Sequence, residues 1–453
     1  MSSKNQKCVL VMNRREAVKS ISLMAAAAAA PKIAFSDAPE KFAEVGAKSR
    51  LKVGLIGCSG RGMGAVDNMM EAAGGAVKIV AIADLFADRL EVARKFFEKR
   101  ARQYPERYKD AIDIPPERAF FGWDAYKKLI AEDVDIVIHA TPPVFRPLHI
   151  RAAVEAGKHM FVEKPACVDP VQARQLMEIA DMADKKSLTI IPGIQRRFSP
   201  AYQESIKRMQ DGQIGEIVGA QAYWLNPRFF IQNKGELYVP EMDPEEMEYQ
   251  IRNWFVFAWT SGDCYVEQHV HNLDVIRWGL GRDPVEVNGV GGRRWDIEFP
   301  KMGDRFSHFG VDYDFGGGVR CASYSRREQK SKDYVMERFI GTKGVLELDL
   351  GSATNRIIGQ KPWEYKGSRP EPIVQEHRFL LDCLLNNKPV NMLRDMIDST
   401  LIAIAGRESC YCGRNFKYAW LKNRSKLSLE PKEWKFGKKP IEGVRLPGIY
   451  KLV

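Results

Sequence analysis

At 453 residues the chain is too long for one ordinary hydrophobic core, so two domains with appendages are expected. Hydrophobic residues make up 45% and charged residues 28%, and no apolar run beyond the leader could span a bilayer, which excludes a membrane-spanning body. The formal charge of +11 would suit an acidic partner, but Lys and Arg are interspersed with acids rather than gathered on one stripe, so nucleic-acid binding is not expected.

The leader, residues 1–38, carries Arg14-Arg15, then the mildly apolar Ser20 to Met24, then an alanine tract from Ala25 to Ala30. It is too short and weak to span a membrane, and it resembles a bacterial twin-arginine (Tat) export signal with a small-residue exit near Ala34 to Ala38. An Ala-rich amphipathic helix is the plainer alternative. The resemblance implies a periplasmic or otherwise exported protein, folded and loaded with any cofactor before export. Eight cysteines, one of them in the leader, are spread too thinly for a disulfide framework. The close pair Cys410-Tyr411-Cys412 ends an apolar helical pattern and reads as structural.

Residues 50–195 alternate apolar runs with helical patterns, the signature of a doubly wound parallel sheet of the Rossmann type. Strands are expected over Leu51 to Ile56, Val77 to Ala83, Val134 to Ala140, His159 to Val162 and Leu188 to Ile191. Helices are expected over Ala65 to Ala73, Ala87 to Tyr104, Ala125 to Ala131, Ile150 to Ala156 and Pro170 to Ala183. Residues 196–412 change character. Ile217 to Trp224, Val285 to Gly291, His308 to Phe315, Val319 to Tyr324 and Val345 to Leu350 have strand composition with few helical patterns between them, so an α+β domain with a mainly antiparallel open sheet follows. An insertion with an acidic helical piece, Asp243 to Arg252, interrupts it, and late helices cover Gln375 to Leu385 and Met392 to Ser409. Residues 413–453 are polar and punctuated by Pro and Gly, as in an extended arm.

The first strand runs into Gly57-Cys58-Ser59-Gly60-Arg61-Gly62-Met63-Gly64 and then a helix. Gly57 allows the tight turn and Gly62 allows helix and sheet to pack closely, while Ser59 stands where the dinucleotide pattern has its middle glycine. Serine is small and Gly60 is adjacent, so pyrophosphate can still approach the N–H groups of the helix start. The second strand ends at Asp84, where an acid can accept bonds from ribose hydroxyls and repel a 2′-phosphate. NAD is therefore favoured over NADP, with Arg61 and Arg89 as the residues that would admit the latter. A helix-capping role is the alternative for Asp84.

Downstream, Ala140-Thr141-Pro142-Pro143 forms a stiff turn with His149 in the following helix, and then comes Ala156-Gly157-Lys158-His159-Met160-Phe161-Val162-Glu163-Lys164-Pro165. From about residue 50 to 415 the chain resembles the Gfo/Idh/MocA oxidoreductases, whose Rossmann domains carry this T-P turn, A-G-K-H run and E-K-P strand end. The resemblance implies that Gly57, Ser59, Gly60, Arg61, Gly62, Asp84, Thr141, Pro142, His149, Glu163 and Lys164 hold a nicotinamide dinucleotide, with no metal. It also makes Lys164 a substrate-contacting catalytic residue. On the residues alone, a lysine at the carboxyl end of a parallel strand can point into the cofactor crevice and favour a substrate alkoxide, or it can simply close the strand in solvent.

In Glu267-Gln268-His269-Val270-His271, Glu267 and His271 are four apart. On a helix they would share a face, where the carboxylate could orient the ring and raise its proton affinity. Polyol dehydrogenases of the family carry Asp in place of the glutamate. His271 is the expected base and His269 a structural hydrogen-bonding residue. The aromatic residues Tyr223, Trp224, Trp254, Phe255 and Trp259 could stack on sugar faces or fill core. Gln195-Arg196-Arg197 could line the pocket mouth or form surface ion pairs. The resemblance implies an oxidoreductase acting on a carbohydrate or polyol, in a homo-oligomer. Export would leave no NAD pool to exchange with, so a non-dissociating cofactor is expected. Two alternatives remain: an NAD-dependent glycosidase that oxidises C3 transiently, and a non-catalytic NAD-carrying sugar-binding protein.

Overall fold

Continuous apolar strands explain the first half of the chain. In the computed structural model, which describes residues 50–453 except 109 and 228–236, strand β4 (Ile136–His139) is buried at every residue. Strands β1 (Leu51–Ile56), β2 (Val77–Asp84) and β5 (His159–Val162) are exposed only at their ends. Such strands need cover on both faces. It comes from helices α1 (Gly60–Ala73), α2 (Ala87–Gln103), α3 (Ala125–Ala131), α4 (Arg146–Glu155) and α5 (Pro170–Lys185). With β3 (Ala119–Phe121) and β6 (Ile190–Pro192) the strands form a six-stranded sheet, ordered β3-β2-β1-β4-β5-β6 and parallel throughout. The chain leaves β1 in one direction and returns to its other side at β4, so a crevice opens at their carboxyl ends. The leader expected over residues 1–38 lies outside the described residues.

Helix α6 (Pro200–Gln210) leads into the second sheet. It has nine strands in the order β14-β13-β12-β11-β7-β10-β9-β8-β15. They are β7 (Ile217–Asn226), β8 (Glu286–Gly292), β9 (His308–Asp314), β10 (Arg320–Arg327), β11 (Tyr334–Gly341), β12 (Gly344–Asp349), β13 (Thr354–Gly359), β14 (Trp363–Glu364) and β15 (Phe416–Lys417). Every pair is antiparallel except β7 with β10. The Rossmann sheet and the mainly antiparallel second sheet are those expected. Strand β11 was hidden in the sequence because Glu337 stands in its middle, fully buried against Arg196.

The acidic insertion forms a shorter helix than expected, α7 (Met247–Arg252), because Asp243 to Glu246 make a turn, Glu246 N–H donating to Asp243 O. Helices α8 (Val270–Leu280), α9 (Pro372–Leu385) and α10 (Leu393–Cys412) follow. α10 is buried along nearly its whole length and presses on β8 so closely that a Cβ on Gly289 would lie 2.6 Å from Cys410 Sγ. The seven cysteines of the described region are all free and buried. Gly413, at φ 66°, ends α10 in the left-handed conformation. β15 and α11 (Tyr418–Arg424) come next, and from Ser425 the chain runs without helix or strand back toward the Rossmann domain.

Candidate active site

Two glycines shape the loop after β1. Gly57 sits at φ 99°, and a Cβ there would lie 2.7 Å from Ala140 C and 2.8 Å from Thr141 N. A Cβ on Gly62 would lie 1.9 Å from Gly57 O, so the first turn of α1 rests directly on the loop. By contrast the Cβ of a residue at Gly60 would meet open space, and Ser59, the N-cap residue, makes no side-chain cap bond. The N–H groups of the helix start therefore face an open groove, a cradle of the kind that holds pyrophosphate. Gly62→Ala is expected to destabilise the domain by about 3 kcal/mol or more, at the upper end of overpacking costs, and to abolish dinucleotide binding. Thermal unfolding and a fluorescence titration with NADH check this; near-native behaviour in both would contradict it.

Asp84 braces the loop. Its carboxylate accepts Cys58 N–H at 2.7 Å and Phe86 N–H at 3.0 Å; burial pushes its pKa up and those two bonds pull it back. It also lines a cavity of about 350 Å³ with Gly57, Trp123, Thr141, Pro142 and His149. His149 Nδ1 lies 3.4 Å from Thr141 Oγ1, its ring is 4.3 Å from that of Tyr126, and burial lowers its pKa to about 3, so the ring is neutral. Arg61 turns away from this cavity. It pairs with Glu163 and reaches Glu376 at 3.3 Å, so it is not placed to receive a 2′-phosphate beside Asp84. Arg89 does line the cavity, and its guanidinium lies 4.2 Å from the Tyr238 ring centroid.

A second cavity of about 560 Å³ contains Arg61, Glu163, Lys164, Glu267 and His271 among its lining residues. Ser59, Ala140 and Trp254 line both cavities, which makes them two ends of one groove over the sheet's switch point. The Lys164 ammonium donates to Glu267 O and, at 2.8 Å, to Glu267 Oε1. Gly193 makes room for Glu163, since a Cβ there would lie 2.9 Å from its Oε2.

The Glu267–His271 pairing expected from spacing is replaced by another. Residues Tyr265–His269 form a π-helical turn, and the Glu267 carboxylate is taken by Lys164 and by the Gln268 amide. His271 instead stacks on Trp224, centroids 5.9 Å apart. Burial lowers its pKa well below the usual imidazole value, and the cations Lys164, Arg196 and Arg61 lower it further. The ring is thus held neutral, opposite to the raised proton affinity expected. His269 bonds Ser323 Oγ at 2.6 Å inside the core.

Of the residues after β6, Gln195 lines the chemical end of the groove, whereas Arg196 and Arg197 form buried ion pairs with Glu337 and Asp274. Among the aromatics, Trp254 and Phe255 line the groove, Tyr223 stacks on Tyr324, and Trp259 is core, donating to Gln250 Oε1 at 2.7 Å. A further lining residue is not singled out by the sequence patterns above. Arg146, buried, donates from Nε to Thr141 O at 3.0 Å and from Nη1 to Pro165 O, so it ties the T-P turn to the E-K-P turn. Burial lowers its pKa to about 10, which leaves it a cation at neutral pH. An arginine directly after an apolar turn, before another proline, was the available signal.

The family model for Gfo/Idh/MocA oxidoreductases, described as an NAD-binding Rossmann fold, matches residues 51–193. The likeness to that family therefore lies in the six-stranded parallel-sheet half of the chain. The chain is 24% identical to the oxidoreductase YrbE of Bacillus subtilis over 55% of its own length and 69% of that protein. It is 25% identical to an inositol 2-dehydrogenase of Corynebacterium glutamicum over 58% of its own length, a match that spans 60% of that enzyme. The scyllo-inositol dehydrogenase of Lactobacillus casei, solved with NAD(H) and scyllo-inositol, shares the fold with a TM-score of 0.59 at 20% identity, covering 82% of this chain and all of that one. The sequence matches thus support the Gfo/Idh/MocA family and the structural match supports the fold, while the groove residues of the Rossmann domain fit a dinucleotide.

Proposed function

We propose that this protein is an exported oxidoreductase that moves hydride between a carbohydrate or polyol carbinol carbon and a resident NAD. The observation that carries it is the shared groove: the loop cradle and Asp84 at one end, the Lys164 ammonium and the neutral His271 ring at the other. When bound, the nicotinamide supplies a hydride acceptor and donor. The remaining steps belong to the chain. Two of the three ammonium N–H groups of Lys164 are held by Glu267, so one remains for a substrate hydroxyl. That bond favours the alkoxide, and a neutral His271 can take the hydroxyl proton. Trp254 and Phe255 offer apolar faces for a sugar ring. The inositol 2-dehydrogenase among the relatives supports the substrate class. Arg14-Arg15 and the alanine tract support export, and retention of NAD follows from the lack of a cofactor pool outside the cytosol. Outward apolar side chains on the second sheet, Val218, Val290, Tyr324 and Tyr334, support self-association through that face.

Purified mature protein should carry NAD(H) through gel filtration, and free sugars or inositols should change its nicotinamide absorbance. Release of an aglycone from aryl glycosides without added NAD would redirect the reading to the glycosidase. Tight sugar binding with neither signal would leave only a binding protein.

A further inference from the structure

The groove's adenosine end is closed by residues outside the Rossmann domain. Ile251, Arg252 and Trp254 from the insertion, and Trp434 from the segment after Ser425, line the same cavity as Asp84. Trp434 lies 4.9 Å from the Phe145 ring and 6.2 Å from Trp123, both lining residues. Two residues on, Phe436 stacks on Phe86 at 5.9 Å and meets Trp123 at 4.9 Å. Arg252 covers the same Phe86 ring at 3.8 Å and pairs with Asp88 at 3.2 Å.

The insertion and the terminal segment are built as one piece. Met247 N–H donates to Gly437 O at 2.9 Å, Lys439 N–H to Glu245 O at 2.7 Å, and Gln250 Nε2 to Lys439 O at 2.7 Å, while Lys438 pairs with Asp243 and Glu246. A hydrophobic cluster including Phe145, Met247, Tyr249, Ile251 and Phe257, with Leu429 and Trp434 packed against it, fixes the piece to the Rossmann domain. Its near end is anchored where Leu429 N–H donates to Asp169 at 2.8 Å.

We propose that the segment from Ser425, with α7, is a clasp over the adenosine half of the dinucleotide, and that Trp434 is the residue against which the adenine packs. This rests on the NAD reading above and supplies its retention mechanism: a nucleotide under the clasp leaves only when Trp434 and Phe436 separate from Trp123, Phe86 and Phe145. An aromatic face is a sequence-tolerant partner for a base, and its loss costs enough to speed release about tenfold to a hundredfold.

The test is displacement of bound NADH, followed by its fluorescence during a chase with excess unlabelled NAD, in wild type, Trp434→Ala and Trp434→Phe. Release should be at least tenfold faster in W434A and intermediate in W434F, and the affinity for ADP-ribose, which lacks the nicotinamide, should fall by the same factor. An off-rate in W434A within twofold of wild type would overturn the clasp while leaving the cofactor reading intact; so would an unchanged affinity for ADP-ribose. Wild type that neither carries nor takes up NAD(H) would overturn both. W434F guards against a folding defect, because it keeps the ring contacts with Phe145 and Trp123.

Discussion

Lys164→Met is expected to lower the rate of hydride transfer about 10³-fold, within the range for loss of a proton-handling group, while NAD(H) stays bound. The methionine fills the lysine's volume but leaves the Glu267 carboxylate facing the groove without its cation. The hydroxyl then loses the donor that favours its alkoxide. A second readout separates this from a mere packing defect. Lys164 is the largest charge effect holding the His271 pKa down, after burial, so in the variant that pKa rises toward the ordinary imidazole value. The acid limb of the pH–rate profile should therefore lie below pH 6.5 in wild type and move upward in K164M. Single-turnover rates on the holoprotein from pH 5 to 9 measure both effects. A variant with near-normal rates would remove Lys164 from the chemistry, and an unmoved limb would remove His271 as the base.

Much of this site was legible because its signals are local. A strand, a glycine turn and a helix start lie within fifteen residues of one another, and the steric demands at Gly57 and Gly62 are those the pattern implies. Lys164 was legible for a similar reason, since a parallel strand has to deliver its carboxyl-end residues to the crevice. What spacing could not show is competition between partners. Glu267 lies four residues before His271, but Lys164, more than a hundred residues earlier, takes the carboxylate, and the intervening π turn is invisible in composition. Arg146 and Trp434 were missed because each acts through long-range contacts: one joins two turns, and the other arrives from a polar segment that lacks any periodic pattern. Strand β11 was missed because its buried Glu337 breaks the apolar rhythm that marks a strand, a break made tolerable by Arg196 from the turn after β6.

That pair sets the second large effect. Arg196→Leu is expected to destabilise the protein by about 3–5 kcal/mol above neutral pH, the usual cost of leaving a buried charge without its partner. Glu337 would keep Tyr202 Oη at 3.3 Å and Asn272 Nδ2 at 2.6 Å, but no cation. The pH dependence follows from the sign of its shift. Burial raises the Glu337 pKa to about 7 even with Arg196 pulling it down, so the folded state holds this proton where the unfolded chain has released it. The stabilisation from that bound proton is complete below the unfolded value near 4.5 and is lost as pH rises through 7. Without Arg196 the folded value climbs further. At pH 5 Glu337 is neutral in both proteins, and at pH 8 only the variant bears the full cost of charging it or keeping it protonated. The stability deficit of R196L, from urea unfolding at the two pH values, should shrink on acidification; a deficit that is constant or grows would mean that lost packing over Trp224, 5.7 Å from the guanidinium, dominates instead. Arg196 also helps keep His271 neutral, so the same substitution should shift the acid limb of catalysis upward, linking the sheet's buried ion pair to the proton transfer at its edge.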